Sequence, residues 1–195
     1  DYLSLIRFSH TIFAMPFALA GYFIGATRPG YGFTLKTFLL VLACMVFARS
    51  AAMGFNRWAD MYFDSLNPRT AVREIPSGKI TPRQALLFVT VSSLLFILSA
   101  ALLNKLTFIL SPVALIIVLG YSYTKRFTPL CHLVLGLGLS LAPIGAYLAV
   151  TGSFALLPLL YSFIVLTWVS GFDIIYSLQD DQFDRDTGLY SIPAV

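Results

Sequence analysis

Charge is the scarcest thing in this chain. Only 11% of its 195 residues are Asp, Glu, Lys or Arg, while 58% are hydrophobic and the mean hydropathy is +0.82. A water-soluble domain of this length cannot hide so much apolar surface, so the composition indicates an integral membrane protein. Cysteine is almost as scarce. Cys44 and Cys131 stand singly in apolar stretches, which argues against a disulfide or metal pair and leaves them as small core residues. The net charge of +4 arises from basic residues dispersed in short loops rather than gathered on one stripe, which argues against a nucleic-acid partner. Strand-like alternation nowhere persists, so a membrane β-barrel is not indicated. There is no internal repeat and no low-complexity tract. The first apolar run has a single nearby basic residue, Arg7, and no small-residue cleavage site, so it does not read as a signal peptide. The chain opens at Asp1 without a Met and stops at Val195 just after a motif, so both ends read as cropped.

What the chain does have is long apolar runs. A helix needs roughly 20 apolar residues to cross the hydrocarbon core. Six runs qualify: about Phe8–Ala26, Leu35–Phe55, Ala85–Leu103, Leu106–Tyr121, Leu133–Val150 and Leu156–Leu178. The fourth is short and can begin in the turn at Asn104-Lys105. The fold class expected is therefore all-α, a polytopic transmembrane helix bundle of six spans forming a single domain over residues 1–195. Pro16, Pro112, Pro143 and Pro158 fall in or near spans, where neighbouring helices can satisfy the freed backbone groups. Arg7, Arg49, Arg57, Arg69, Arg73, Lys79, Arg83, Lys125, Arg126 and Arg185 fall on one side, and Arg28, Lys36 and Lys105 on the other. Ten against three makes the first side cytoplasmic by the positive-inside rule. Every Asp and Glu falls there too, as does the long loop from Asn56 to Gln84.

The few carboxylates are concentrated where apolar runs end. Asn56-x-x-x-Asp60-x-x-x-Asp64 follows the second run, and Asp173-x-x-Tyr176-x-x-x-Asp180-x-x-x-Asp184 closes the sixth. Residues four apart on a helix share a face, with a drift of about 40° per step. The second cluster keeps one face if its helix continues past Leu178. A single Asp at a helix end reads as a cap or a solvated interface. Two acidic ridges on one side of a membrane are costly without cations, and point to divalent metal. Mg²⁺ is typically held by one or two carboxylates plus substrate phosphates, so a diphosphate could bridge the two ridges. The loop between the ridges supplies Arg69, Arg73 and Lys79, able to make charge-assisted hydrogen bonds to phosphate oxygens. Taken alone, Tyr121-Ser122-Tyr123-Thr124-Lys125-Arg126 reads as an aromatic-basic interface anchor.

In this order, Asn56/Asp60/Asp64, Tyr121-x-x-x-Lys125 and Asp173/Tyr176/Asp180/Asp184 resemble the UbiA superfamily of intramembrane aromatic prenyltransferases, over essentially the whole chain. The runs from Arg7 to Ala18 and from Ala48 to Arg57 look like its 4-hydroxybenzoate polyprenyltransferase-like branch, which includes enzymes of ubiquinone and futalosine-route menaquinone synthesis. The resemblance implies a nine-helix bundle with a central cavity, of which three C-terminal helices would be missing here. Asp180-Asp181-Gln182-Phe183-Asp184 also spells the DDxxD pattern of soluble prenyl synthases, shared diphosphate chemistry at most.

The reaction implied is Mg²⁺-dependent transfer of a polyprenyl group from its diphosphate to 4-hydroxybenzoate or a related quinone precursor. Asn56, Asp60, Asp64, Asp180 and Asp184 form the expected metal–diphosphate set. Arg69, Arg73, Lys79 and, by family analogy, Lys125 are the expected diphosphate partners. Tyr176 is the aromatic face expected to steady an allylic cation, and Asp173 the expected general base. Arg126, then Arg49, is expected to bind an acceptor carboxylate. His10 reads as a hydrogen-bonded interfacial residue, and His132 as structural. The expected partners are a polyprenyl diphosphate, an aromatic acid and the lipid bilayer, in a bacterial inner membrane with the site facing the cytoplasm. Other acceptors (a naphthoate, a futalosine-route or a haem precursor) stay open. From another class, a cation-coupled transporter would also use intramembrane carboxylates, but near the midplane rather than at one face.

Overall fold

Long apolar runs become helices here because a helix satisfies its own backbone groups away from water, and polar caps set where several of them begin. The computed structural model describes residues 2–6 and 8–194, apart from the side chains of Leu3 and of residues 8–13. Arg7 and the side chain of His10 therefore lie outside the described residues. The helices are α1 (Tyr2–Leu5), α2 (Phe8–Ala26), α3 (Leu35–Ala59), α4 (Met61–Leu66), α5 (Pro82–Leu103), α6 (Lys105–Thr124), α7 (Cys131–Thr151), α8 (Leu156–Ser177) and α9 (Asp181–Thr187). No strand occurs among the described residues. The Thr34 side chain caps α3, and Thr81 with Gln84 forms a capping box before Pro82 of α5. Asn104 opens α6 with a second capping box, and its Nδ2 donates to the carbonyls of Leu148 (2.8 Å) and Ala149 (3.1 Å) on α7. The left-handed Gly152 ends α7.

Among the described residues, five helices are long and apolar enough to cross a membrane: α3, α5, α6, α7 and α8 with its continuation. The first expected span is present as the 19-residue α2. In lipid there is little hydrophobic drive between helices, so close packing of small residues holds them together. A Cβ on Gly21 of α2 would lie 2.0 Å from the Pro143 carbonyl oxygen on α7. Ala14, Ala18, Tyr22, Val41, Met45, Ala146 and Ala149 form the core where α2, α3 and α7 meet. Buried Ser99, Ser111, Ser140 and Ser170 satisfy their hydroxyls on carbonyls of their own helices, which lets these polar side chains sit inside the bundle.

Both acidic ridges are interrupted. The α3 helix stops at Asp60, which has non-helical backbone (φ −92°, ψ 3°), and α4 starts a new short helix carrying Asp64. A 3₁₀ turn over Leu178–Asp180 separates α8 from α9, so the second ridge is not one continuous helix as expected. The C-terminal ends of α3, α6 and α8 and the N-terminal end of α7 meet at the same end of the bundle.

Candidate functional site

A polar pocket of about 240 Å³ opens at this end. It is lined by Asn56, Asp60, Asp64, Lys125, Asp173, Tyr176, Asp180 and Asp184, and by Arg69 and Arg73 of the loop after α4. The structure thus brings together ten side chains expected at the site, from positions 56 to 184.

Each carboxylate has a distinct setting. Asp60 Oδ2 accepts from Asn56 Nδ2 (3.1 Å) and lies 2.9 Å from Lys125 Nζ. Arg73 donates to Asp64 Oδ1 at 2.6 Å. The other oxygens, Asp60 Oδ1 and Asp64 Oδ2, are buried without a hydrogen-bond partner. Two bare carboxylate oxygens in one pocket are costly, and a hard cation would relieve the cost. Burial pushes the Asp60 carboxyl above its ordinary value; Lys125 and Arg126 pull against this, and Asp64 adds to it. Asp180 accepts from Asn67 Nδ2 (3.0 Å) and Arg69 Nε (2.9 Å) on one oxygen, and from Arg69 Nη2 on the other. Arg69 also stands over the Tyr176 ring, 5.9 Å from its centroid. Asp173 Oδ2 is 2.7 Å from His132 Nδ1. Among the described residues no three His, Cys, Asp or Glu side chains close around a point. This donor set suits an ion that completes its shell with ligand oxygens and water.

Beside the polar pocket runs an apolar cavity of about 350 Å³, walled by α2, α3, α5, α6 and α7. Its lining on α6 extends from Tyr121 to Thr107, about 21 Å of helix at 1.5 Å per residue. Tyr121 and Leu135 line both spaces and so form their common wall. Arg49 is the only charged residue lining the apolar cavity among the described residues, and its Nε has no hydrogen-bond partner.

Three expected site residues are not in the polar pocket: Arg49, which lines the apolar cavity, Arg126 and Lys79. Arg126 donates to the Ala59 carbonyl and stacks on Tyr123 (4.7 Å) and Phe63 (5.5 Å), outside the pocket lining. Lys79 is exposed beyond the left-handed Gly78 and does not line the pocket. Asn67 was not foreseen. Its Oδ1 accepts from Arg69 N (2.9 Å) while its amide holds Asp180, so it both shapes the loop and joins the second ridge. Asn-Pro-Arg directly after a short helix was the available signal. His132, expected as structural, faces the pocket through Asp173.

Residues 14–195 match the UbiA prenyltransferase family. A curated 4-hydroxybenzoate octaprenyltransferase of Aeromonas salmonicida is 34% identical over 157 residues, covering 80% of this chain and 54% of the relative. One from Neisseria meningitidis serogroup B is 33% identical over 157 residues, covering 80% and 50%. The chain spans about half the length of these curated relatives. An apo structure of a UbiA homologue from Aeropyrum pernix K1 superposes with a TM-score of 0.87 at 42% identity, covering 95% of this chain and 69% of that one. A UbiA homologue from Archaeoglobus fulgidus, bound to GPP and Mg²⁺, superposes with a TM-score of 0.78 at 23% identity, covering 98% and 68%. At that identity the likeness speaks for the fold.

Proposed function

This chain belongs to the UbiA prenyltransferase family, and from that premise we propose that it transfers a prenyl group from a prenyl diphosphate to an aromatic acceptor, with Mg²⁺ as cofactor. One observation carries the reading: a carboxylate pocket with two bare oxygens and three cations shares a wall with a long apolar cavity. A diphosphate with a hydrocarbon tail has that division of character.

Asn56, Asp60, Asp64, Asp180 and Asp184 are the residues that would hold the metal and its diphosphate. Bound there, Mg²⁺ would supply Lewis-acid stabilisation of the negative charge that builds on the departing diphosphate. Arg69, Arg73 and Lys125 line the same pocket and can turn from their carboxylates to phosphate oxygens. The allylic C–O bond breaks with its electron pair going to the diphosphate. A ring carbon of the acceptor then bonds to the prenyl carbon, and the displaced ring proton passes to Asp173. Tyr176 presents an aromatic face toward this pocket, worth up to about 2 kcal/mol to a desolvated cation.

The acceptor is an aromatic acid of the 4-hydroxybenzoate kind, a quinone precursor. The names of the curated relatives support this choice, as does Arg49, whose Nε is buried without a hydrogen-bond partner beside the common wall. Arg49 takes the carboxylate-binding role first expected of Arg126. The ten-to-three distribution of basic residues supports a site that faces the cytoplasm.

The test is incubation of the detergent-solubilised protein with Mg²⁺, labelled prenyl diphosphates of several lengths, and a panel of hydroxybenzoates and naphthoates. A prenylated hydroxybenzoate that forms with Mg²⁺ and is lost in excess chelator is expected. Prenyl transfer that persists in chelator would sink the metal assignment. Solute uptake into proteoliposomes with no prenyl transfer would sink the enzyme reading.

A further inference from the structure

His132 is 3% exposed at the first turn of α7, and both its ring nitrogens are engaged. Nδ1 lies 2.7 Å from Asp173 Oδ2 on α8, and the backbone N–H of Ile192 points at Nε2 from 3.3 Å. A backbone N–H can only donate, so Nε2 presents its lone pair. The ring proton of the neutral imidazole is thereby assigned to Nδ1, where it is donated to Asp173.

The segment that fixes this tautomer is itself braced. Leu189 N donates to the Asp184 carbonyl (2.9 Å), Tyr190 N to the Lys125 carbonyl (2.7 Å) and Ile192 N to His132. Leu189 and Ser191 are buried and line the polar pocket. Residues 189–192 therefore form a strap across the pocket, tied to three residues whose side chains line it.

We propose that His132 is a positioning residue for Asp173, and that the strap holds His132 to that task. The inference rests on the reading of Asp173 as the acceptor of the ring proton. Lys125, Arg69 and Arg73 share the pocket, and an untethered carboxylate would swing toward one of them. With Oδ2 tied to His132, Oδ1 is the oxygen left to meet the acceptor ring.

The test compares three replacements in the detergent-solubilised protein. His132→Phe keeps a ring but loses both nitrogens. His132→Asn and His132→Gln each keep an amide N–H that can be donated to Asp173. His132→Phe should lower kcat on the order of 10²-fold, as a misplaced catalytic group does, with the KM for prenyl diphosphate changed by less than about threefold. Asn or Gln should restore at least about a tenth of wild-type kcat, within the span a misplaced group covers. A Phe variant with wild-type kcat, an effect confined to KM, or Asn and Gln variants as slow as Phe would overturn the proposal. Ile192→Pro removes the strap's donor, along with the backbone freedom at that position, and should lower kcat in the same direction; an unchanged kcat would remove the strap from the argument. If the wild-type protein transfers no prenyl group, the function falls separately. The His132–Asp173 link is then read from thermal unfolding of His132→Phe, Asp173→Asn and the double variant. Non-additive shifts support it, and additive shifts overturn it.

Discussion

Replacing Asp60 by Asn removes one negative charge from the pocket while keeping the shape of the side chain. Two effects of opposite sign act on stability. The ion pair with Lys125 at 2.9 Å is lost. The Lys125 side chain is 32% exposed, so its ammonium can rehydrate, and the full ~3–5 kcal/mol penalty of stranding a buried charge does not apply. Against this, a carboxylate 3% exposed no longer has to stay charged with Oδ1 bare, a burden of about 1–3 kcal/mol for a neutral group and more for a charged one. The two nearly cancel, so the net change in stability is about 1 kcal/mol or less. Catalysis has no such compensation. Removing one group that stabilises transition-state charge typically costs about 10²–10³-fold in kcat, or ~2.7–4 kcal/mol. Asp60→Asn should therefore be a folded, nearly inactive protein. Prenyl transfer at saturating Mg²⁺, with a thermal melt of the same preparation, measures both halves. Activity within about tenfold of wild type would refute the metal role, since even the low end of the expected loss is larger. A collapse in Tm would show that Asp60 is a structural anchor instead.

The raised Asp60 carboxyl makes a second, pH-dependent prediction. Without divalent ion, the folded protein takes up this proton at a higher pH than the unfolded chain does. Stability then falls as pH rises between the ordinary and the raised value. The Tm of chelated protein should rise as pH is lowered from neutrality into that window, and the slope should flatten in Asp60→Asn; identical slopes would refute it. Arg49→Ala should raise the acceptor KM about 10–100-fold, the worth of a hydrogen bond to a charged group, and leave the prenyl diphosphate KM unchanged; competition kinetics with both substrates decides it. Gly136→Ala should destabilise the α7–α8 contact by about 1–3 kcal/mol, because its Cβ would meet Ser170 Oγ at 2.2 Å and the Leu166 carbonyl oxygen at 2.6 Å. Gly145→Ala, which meets nothing within 4 Å, is the control in the same melt.

The helices and the acidic ridges were legible because each is a local pattern. An apolar run of membrane length has one low-cost conformation, and carboxylates at its end declare themselves by their cost. The fourth span starts at Lys105, one residue before the expected boundary, because Asn104 caps it. Long-range pairings were not legible. Asn67 meets Asp180 across 113 positions, and His132 meets Asp173 across 41, with no periodicity to announce either. The turn of Arg126 away from the pocket also lay beyond the sequence. Arg126 is held by stacking on Tyr123 and Phe63, and aromatic residues beside an arginine do not reveal which way it turns. The breaks at Asp60 and at Leu178–Asp180 were hidden because no Pro or Gly marks them.

The pairing of cations with carboxylates has a consequence for how ligands would load. Asp60, Asp64 and Asp180 each hold a basic residue, so the protein carries its own provisional counterions at the place where guests are to be seated. On the proposed reading, admission would be an exchange of companions: Lys125, Arg69 and Arg73 would leave oxygen on carbon for oxygen on phosphorus, and the vacated carboxylates would take the incoming ion. Five acidic side chains and three basic ones line the pocket, so negative charge is already in excess before a diphosphate brings its own, and divalent ion and diphosphate would have to enter as partners.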